Sequence, residues 1–325
     1  MRRSWRAPEK IEPRCAQRKK TLSDPRHTDT ATRTKFAPTH TTNPQPINQD
    51  NPVTQALPEY EIYALRYATM ARKRQEAFMA FDPHEGPYPI DYFVWVIRNA
   101  ERTILVDTGF SAEASVRRKR DYLRSPIDAI ARLGIKPEDV KDVIITHLHY
   151  DHAGNVHLLP NARLHLQEKE LHYATGKYMK YDVMRHPYDE DDVVNIVRGV
   201  YQQRVEFYEG DAPFAPGIEL IYVGGHTAGL QAVRVHTARG WVVLASDAAH
   251  YYANLHKESP FPIIFHVGDM LEGFRKLMKL ADSPEHLVPG HDPLVRTLYP
   301  AWQAGDTEIV QLHKAPLARL DPATL

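Results

Sequence analysis

This sequence predicts an α/β domain preceded by a disordered basic tail, and three features carry that expectation. Residues 1–56 hold eleven Lys and Arg against five acids, and are rich in Pro, Thr, Asn and Gln but poor in aliphatics. From Tyr60 onward, short apolar runs of strand length alternate with helical patterns. Several of those runs end on histidine or aspartate, and α/β folds commonly hold their chemistry just beyond a buried strand.

A segment composed like 1–56 cannot bury enough apolar surface to offset its ordering entropy, so the expected division is a tail at 1–56 and one domain at 57–325. Strands are expected at residues 60–67, 92–97, 103–106, 140–146 and 162–166. Ser125 ahead of Pro126, with Gly134 beyond residue 133, marks a capped helix between them. The runs 231–236 and 241–245 flank residues 237–240 as a hairpin. Within 140–146, Val143, Ile144 and Ile145 suit a strand buried on both faces. Glu168-Lys169-Glu170 reads as the first turn of a surface helix and is assigned no function.

Composition narrows the chemistry. Lys plus Arg and Asp plus Glu both total 41, which gives no support to a nucleic-acid or membrane-surface partner. The single cysteine, Cys15, excludes an intramolecular disulfide and a Cys-rich zinc site, leaving histidines and carboxylates as metal ligands. No stretch approaches the roughly 18 to 20 apolar residues of a spanning helix, and the start lacks the apolar core of a secretory signal. The expected location is the cytoplasm.

The segment Thr146-His147-Leu148-His149-Tyr150-Asp151-His152-Ala153-Gly154 sets three imidazoles and a carboxylate within six positions. A polar turn capping a helix accounts for one such histidine but not for this cluster. In extended chain His147 and His149 point to one side and can reach one ion, while Asp151 and His152 turn toward a second. His226 follows the run 218–223 and Gly224-Gly225, Asp247 follows 242–245, and His291 follows Leu287-Val288-Pro289-Gly290. The set divides into His147, His149 and His226 for one ion and Asp151, His152 and His291 for the other, with Asp247 between them. Paired divalent ions activate water and polarise a carbonyl, which makes hydrolysis the natural reaction class.

With these motifs the sequence resembles the metallo-β-lactamase superfamily, and more closely its N-acyl homoserine lactonase branch, over roughly residues 60–300. Asp107-Thr108-Gly109, His147 to Gly154, Gly225-His226-Thr227-Ala228-Gly229, Ser246-Asp247-Ala248 and Gly290-His291-Asp292 carry the resemblance. It implies an αββα sandwich with two zinc ions or related metals at one edge, a small-molecule lactone as substrate, and a homodimer. Asp107 would orient the metal loops, and Asp151 would also pass a proton to the leaving oxygen. Asp247 argues against true β-lactamases, which lack this bridging carboxylate. Glyoxalase II-type thioesterases share all seven ligands, so thioester hydrolysis is the main alternative, with an aromatic or simple lactone another. Related lactonases often place a tyrosine three residues after the bridging aspartate. Here His250 stands there, followed by Tyr251 and Tyr252, so His250 or Tyr251 is expected to steady the developing charge.

An insertion at 172–204 holds Tyr173, Tyr178, Met179, Tyr181, Met184 and Tyr188, and Phe261-Pro262-Ile263-Ile264-Phe265 follows Asp247. Beside a polar site they suit a substrate with one hydrolysable group and an apolar body. His157, His165, His172, His186, His236, His256, His266 and His286 show no comparable pattern and are expected to be structural or exposed.

Overall fold

The apolar runs pair into two sheets in a computed structural model, which describes residues 56–321 and 325. The expected tail, apart from Ala56, lies outside the described residues, as does Cys15. The first strands are β1 (Glu61–Met70), β2 (Ile90–Arg98), β3 (Thr103–Val106), β4 (Asp121–Tyr122), β5 (Asp142–Ile144), β6 (Arg163–Gln167) and β7 (Val205–Tyr208). Then come β8 (Ala212–Ala215), β9 (Ile218–Tyr222), β10 (Gln231–Thr237), β11 (Gly240–Ser246), β12 (Leu287–Pro289) and β13 (Ile309–Gln311). One sheet runs β13-β1-β2-β3-β5-β6-β7 with β4 beside β1, and the other runs β12-β11-β10-β9-β8. From β3 to β7 the neighbours are parallel, which fits strands covered on both faces.

Packing follows from the alternation of side chains across each strand. Ile62, Phe93, Trp95, Ile97, Ile104 and Ile144 of the first sheet meet Ile218, Leu220, Val233, Val235, Val242 and Val288 of the second in one buried cluster. The outer face of the first sheet packs on Ala129, Ile130, Val193 and Ile196 of helices Pro126–Ala131 and Glu190–Tyr201. That of the second packs on Met270, Phe274 and Leu277 of helix Val267–Leu280. The layers are helix, sheet, sheet, helix, the αββα arrangement the resemblance implies. Among the described residues no helix is long and apolar enough to cross a membrane.

The expected helix starts where its cap requires, with Ser125 Oγ accepting from Ile127 N at 3.2 Å. The hairpin also forms, Thr237 facing Gly240 across a two-residue turn. Strand β5 is shorter than the expected 140–146. Thr146 leaves the ladder because its N–H and hydroxyl both donate to the Asp107 carboxylate, each at 2.7 Å. That departure starts the loop on which the first histidines ride.

Candidate metal centre

Loops leaving the strands at one edge of both sheets converge here. The loop after β5 carries His147 and His149, and helix Tyr150–Ala153 carries Asp151 and His152. His226 sits in the turn between β9 and β10, Asp247 directly follows β11, and His291 lies two residues after β12. All seven are buried. The approach of these loops needs glycine at Gly225, which has φ +84° and whose added Cβ would lie 2.6 Å from Met270 N. Ser246, just before Asp247, also takes a left-handed conformation with φ +47°, a strain of the kind that collects at functional sites.

Asp247 divides the histidines into two groups. Its Oδ2 lies 3.7 Å from His147 Nε2 and 3.3 Å from His226 Nε2, while its Oδ1 lies 3.2 Å from His152 Nε2 and 2.9 Å from His291 Nε2. Asp151 Oδ2 stands 3.7 Å from both His152 Nε2 and His291 Nε2. Ligand atoms of His147, His149, His226 and Asp247 lie within 4.8 Å of one another, as do those of Asp151, His152 and His291, and those of Asp247, His250 and His291.

These groups fit metal ions by a test internal to the protein. His147 Nε2, His152 Nε2, His291 Nε2 and Asp247 Oδ1 are buried and make no hydrogen bond. They approach one another closely but off the line a hydrogen bond needs, as lone pairs directed at shared points would. The outer ring nitrogens are held instead. His152 Nδ1 meets Asp107 Oδ2 at 2.7 Å, His226 Nδ1 meets the Ile263 carbonyl at 2.7 Å, and His291 Nδ1 meets the Asp91 carbonyl at 2.8 Å. Such contacts fix the ring and its tautomer and leave the inner nitrogens of His152 and His291 without a hydrogen bond, while His226 Nε2 meets His149 Nδ1 at 2.9 Å, two donors that one ion could share.

Electrostatics divide the histidines, His147 and His149 being lowered by burial and His152 and His291 raised against it by the carboxylates beside them. Burial, then the His152 and His149 imidazoles, hold His147 well below the usual histidine range, and burial with His226 does the same for His149. Both are therefore neutral imidazoles with a lone pair to give. Burial opposes charge at His152, yet Asp247, Asp107 and Asp151 raise it well above its ordinary value. Burial would raise Asp247, but His291, His152 and His250 hold it well below the usual carboxylate range. The centre is built to keep its carboxylate ionised.

The model for the metallo-beta-lactamase superfamily matches residues 88–291, which contain every one of these groups. The chain belongs to that superfamily. An N-acyl homoserine lactonase of Bacillus cereus is 29% identical over 185 residues, 52% of this chain and 68% of that protein. Among solved structures, an N-acyl homoserine lactone hydrolase with N-hexanoyl-L-homoserine bound at its catalytic metal centre superposes with a TM-score of 0.59. It is 23% identical and covers 71% of this chain and 93% of its own. A dizinc quorum-quenching lactonase gives 0.57 at 16% identity, over 73% of this chain and 89% of its own. With a histidine–aspartate centre on a metallo-β-lactamase fold, the chain is a metal-dependent hydrolase.

Around this centre some expectations shift. His250 does stand at the site, its Nε2 3.3 Å from Asp247 Oδ2 and its ring stacked on Phe261 with centroids 3.9 Å apart. Tyr251 is directed elsewhere, its hydroxyl donating to the Tyr88 and Pro89 carbonyls at 3.3 Å. Another phenol beside the histidines is Tyr92, its ring edge-on to His291 at 5.2 Å and its hydroxyl 3.3 Å from that of Tyr150. Nothing local in the sequence marks Tyr92, because strand pairing alone brings it here. His186 is exposed, as expected, and it lines the cavities beside the centre.

Glu170 needs correction. It is not a surface residue but fully buried, and its carboxylate ties two metal loops together. Oε1 accepts from Leu148 N at 2.9 Å and Tyr188 OH at 3.3 Å. Oε2 accepts from Thr227 Oγ1 at 2.6 Å and Gly229 N at 2.9 Å.

An apolar cavity of about 500 Å³ opens beside His149 and His226. Tyr173 and Met184 of the expected insertion and Pro262, Ile263 and Ile264 line it. Tyr188 instead packs edge-on to His149 at 4.7 Å, and Tyr181 is half exposed.

Proposed function

We propose that the chain is a dinuclear metal-dependent lactonase, its hydrolase domain spanning 57–325 behind a basic tail, and that an N-acyl homoserine lactone is the first substrate to test. The observation that carries the reading is the carboxylate of Asp247, with one oxygen toward each histidine group. His147, His149 and His226 would hold one ion and Asp151, His152 and His291 the other, with Asp247 shared; zinc suits these donors. When bound, such ions supply Lewis acidity toward a carbonyl and lower the pKa of water. The apolar cavity beside His149 and His226 would take the acyl body, and the similar lactonases support the choice of ring.

The remaining work falls to side chains. Burial, then Asp151, pushes the Tyr92 phenol up to about 12, so it stays protonated and able to donate near neutral pH. His250 Nδ1 is buried without a partner, and in its Nδ1–H tautomer it would donate to a substrate oxygen as charge develops. Asp151 would hand a proton to the departing oxygen.

The test is proton release by purified, metal-analysed protein offered a long-chain N-acyl homoserine lactone, simple γ- and δ-lactones and a glutathione thioester. Preference for the acyl lactone supports the reading, and preference for the thioester replaces the substrate while keeping the centre. His250→Phe preserves the stacking on Phe261 and is expected to lower kcat about 100-fold with two ions still bound. Loss of an ion in that variant would make His250 a ligand instead, and an unchanged kcat would make it a wall of the pocket.

A further inference from the structure

Adjoining the apolar cavity, the metal cleft is lined by three arginines, Arg72, Arg118 and Arg120, none of which lines that cavity. Among the described residues its carboxylates are Asp151 and Asp247, both assigned above to metal. The two cavities share His149, His226, His186, Pro187 and Ile263 as a common wall, so one substrate can reach both.

The three guanidiniums are not equivalent. Arg118 is committed to the fold, donating to the His186 carbonyl at 2.9 Å and the Tyr188 carbonyl at 2.8 Å while lying over the Tyr150 ring at 3.9 Å. Arg120 donates through Nε to Tyr150 OH at 2.9 Å and through Nη1 to the Arg118 carbonyl, and its Nη2 makes no hydrogen bond among the described residues. Arg72 lies against Phe261 at 4.7 Å, the ring on which His250 stacks. It pairs with the half-exposed Glu76, Nε to Oε2 at 3.4 Å and Nη2 donating to the Glu76 carbonyl at 3.5 Å, and its buried Nε makes no hydrogen bond. Partly buried guanidinium groups facing a cleft without a matched carboxylate recognise anions, and they do so most strongly as a pair.

We infer that Arg72 and Arg120 form an anion subsite, so that the preferred substrate carries a carboxylate or similar anion on the side of the scissile group away from its apolar body. This rests on the hydrolase reading of the same centre. A neutral N-acyl homoserine lactone would fill the apolar cavity and leave the subsite empty. A lactone with a carboxylate on its ring would fill both.

The test compares a ring-carboxylated acyl lactone with its carboxamide, and an S-acyl 3-mercaptopropionate with its carboxamide, on the zinc-loaded full chain. Kd is measured by calorimetry alongside kcat/KM. Each acid is expected to bind at least about tenfold more tightly than its amide, with the gap narrowing as ionic strength rises. In Arg72→Met/Arg120→Met the ratio should fall below about threefold, while Arg72→Lys keeps part of it. Equal Kd values for acid and amide in the wild-type chain overturn the subsite, as does a preference that survives in the double variant, which would assign the carboxylate to the metals. Absence of turnover with the Kd preference intact would overturn the hydrolytic reading of these substrates and leave the subsite standing.

Discussion

Asp247→Ala is expected to lower bound metal from two ions per chain toward one or none, and to reduce hydrolysis by at least about 10³-fold, the several kcal/mol that metal activation supplies. Five imidazoles lean on this carboxylate. His147, His226 and His250 face Oδ2, and His152 and His291 face Oδ1. Without it, neither histidine group keeps its shared oxygen, and the buried rings lose the anion that offsets them. Asp247→Asn keeps the shape with one acceptor oxygen, and should retain more metal than alanine while staying far below wild type in turnover. Metal analysis by mass spectrometry, paired with kcat/KM, checks both. Two tightly held ions in Asp247→Ala would remove the bridging role and the division of ligands built on it.

Residues of this kind were legible because their signal is local. The strand-forming run Val143-Ile144-Ile145 delivers His147, His149, Asp151 and His152 to one spot, and few other uses of chain require that grouping. His226, Asp247 and His291 repeat strand, turn and ligand, and parallel and hairpin pairing then bring those turns to one edge. The order of layers was legible only through the family resemblance, since a run such as Val143-Ile144-Ile145 is apolar on both faces and carries no alternation to show which layer covers it. Tyr92, Arg72 and Arg120 carry no such mark. Tyr92 is one residue in a strand buried along most of its length, and the arginines flank short elements, so their approach to the centre exists only once β1, β2 and the loops around β4 have packed. Tyr251 shows the converse. Proximity in sequence to Asp247 suggested a role, but the start of helix Tyr252–His256 turns its phenol toward Tyr88 and Pro89.

Glu170 was hidden by the commonest expectation for its position. An acid in the first turn of a seven-residue helix ordinarily faces water and complements the helix dipole. Here the loop Gly225–Gly229 closes over it, and a Cβ at Gly229 would collide with the Glu170 backbone. That close approach gives Glu170 four donors, one from between His147 and His149 and two from the loop that carries His226. Removing the carboxylate strands those donors in the interior at about 1–3 kcal/mol each. Glu170→Ala is therefore expected to lower the melting temperature by about 2–4 °C for each kcal/mol lost. Because the two tethered loops carry His147, His149 and His226, the affinity of that group for its ion should also fall about 10–100-fold. Glu170→Gln, which keeps one acceptor oxygen and the shape, should recover most of the melting temperature while leaving a measurable loss of metal affinity and of kcat. That split identifies a positioning residue. Loss of stability alone, with the metal Kd and kcat of the folded fraction unchanged in both variants, would reduce Glu170 to a buried strut with no hold on the centre.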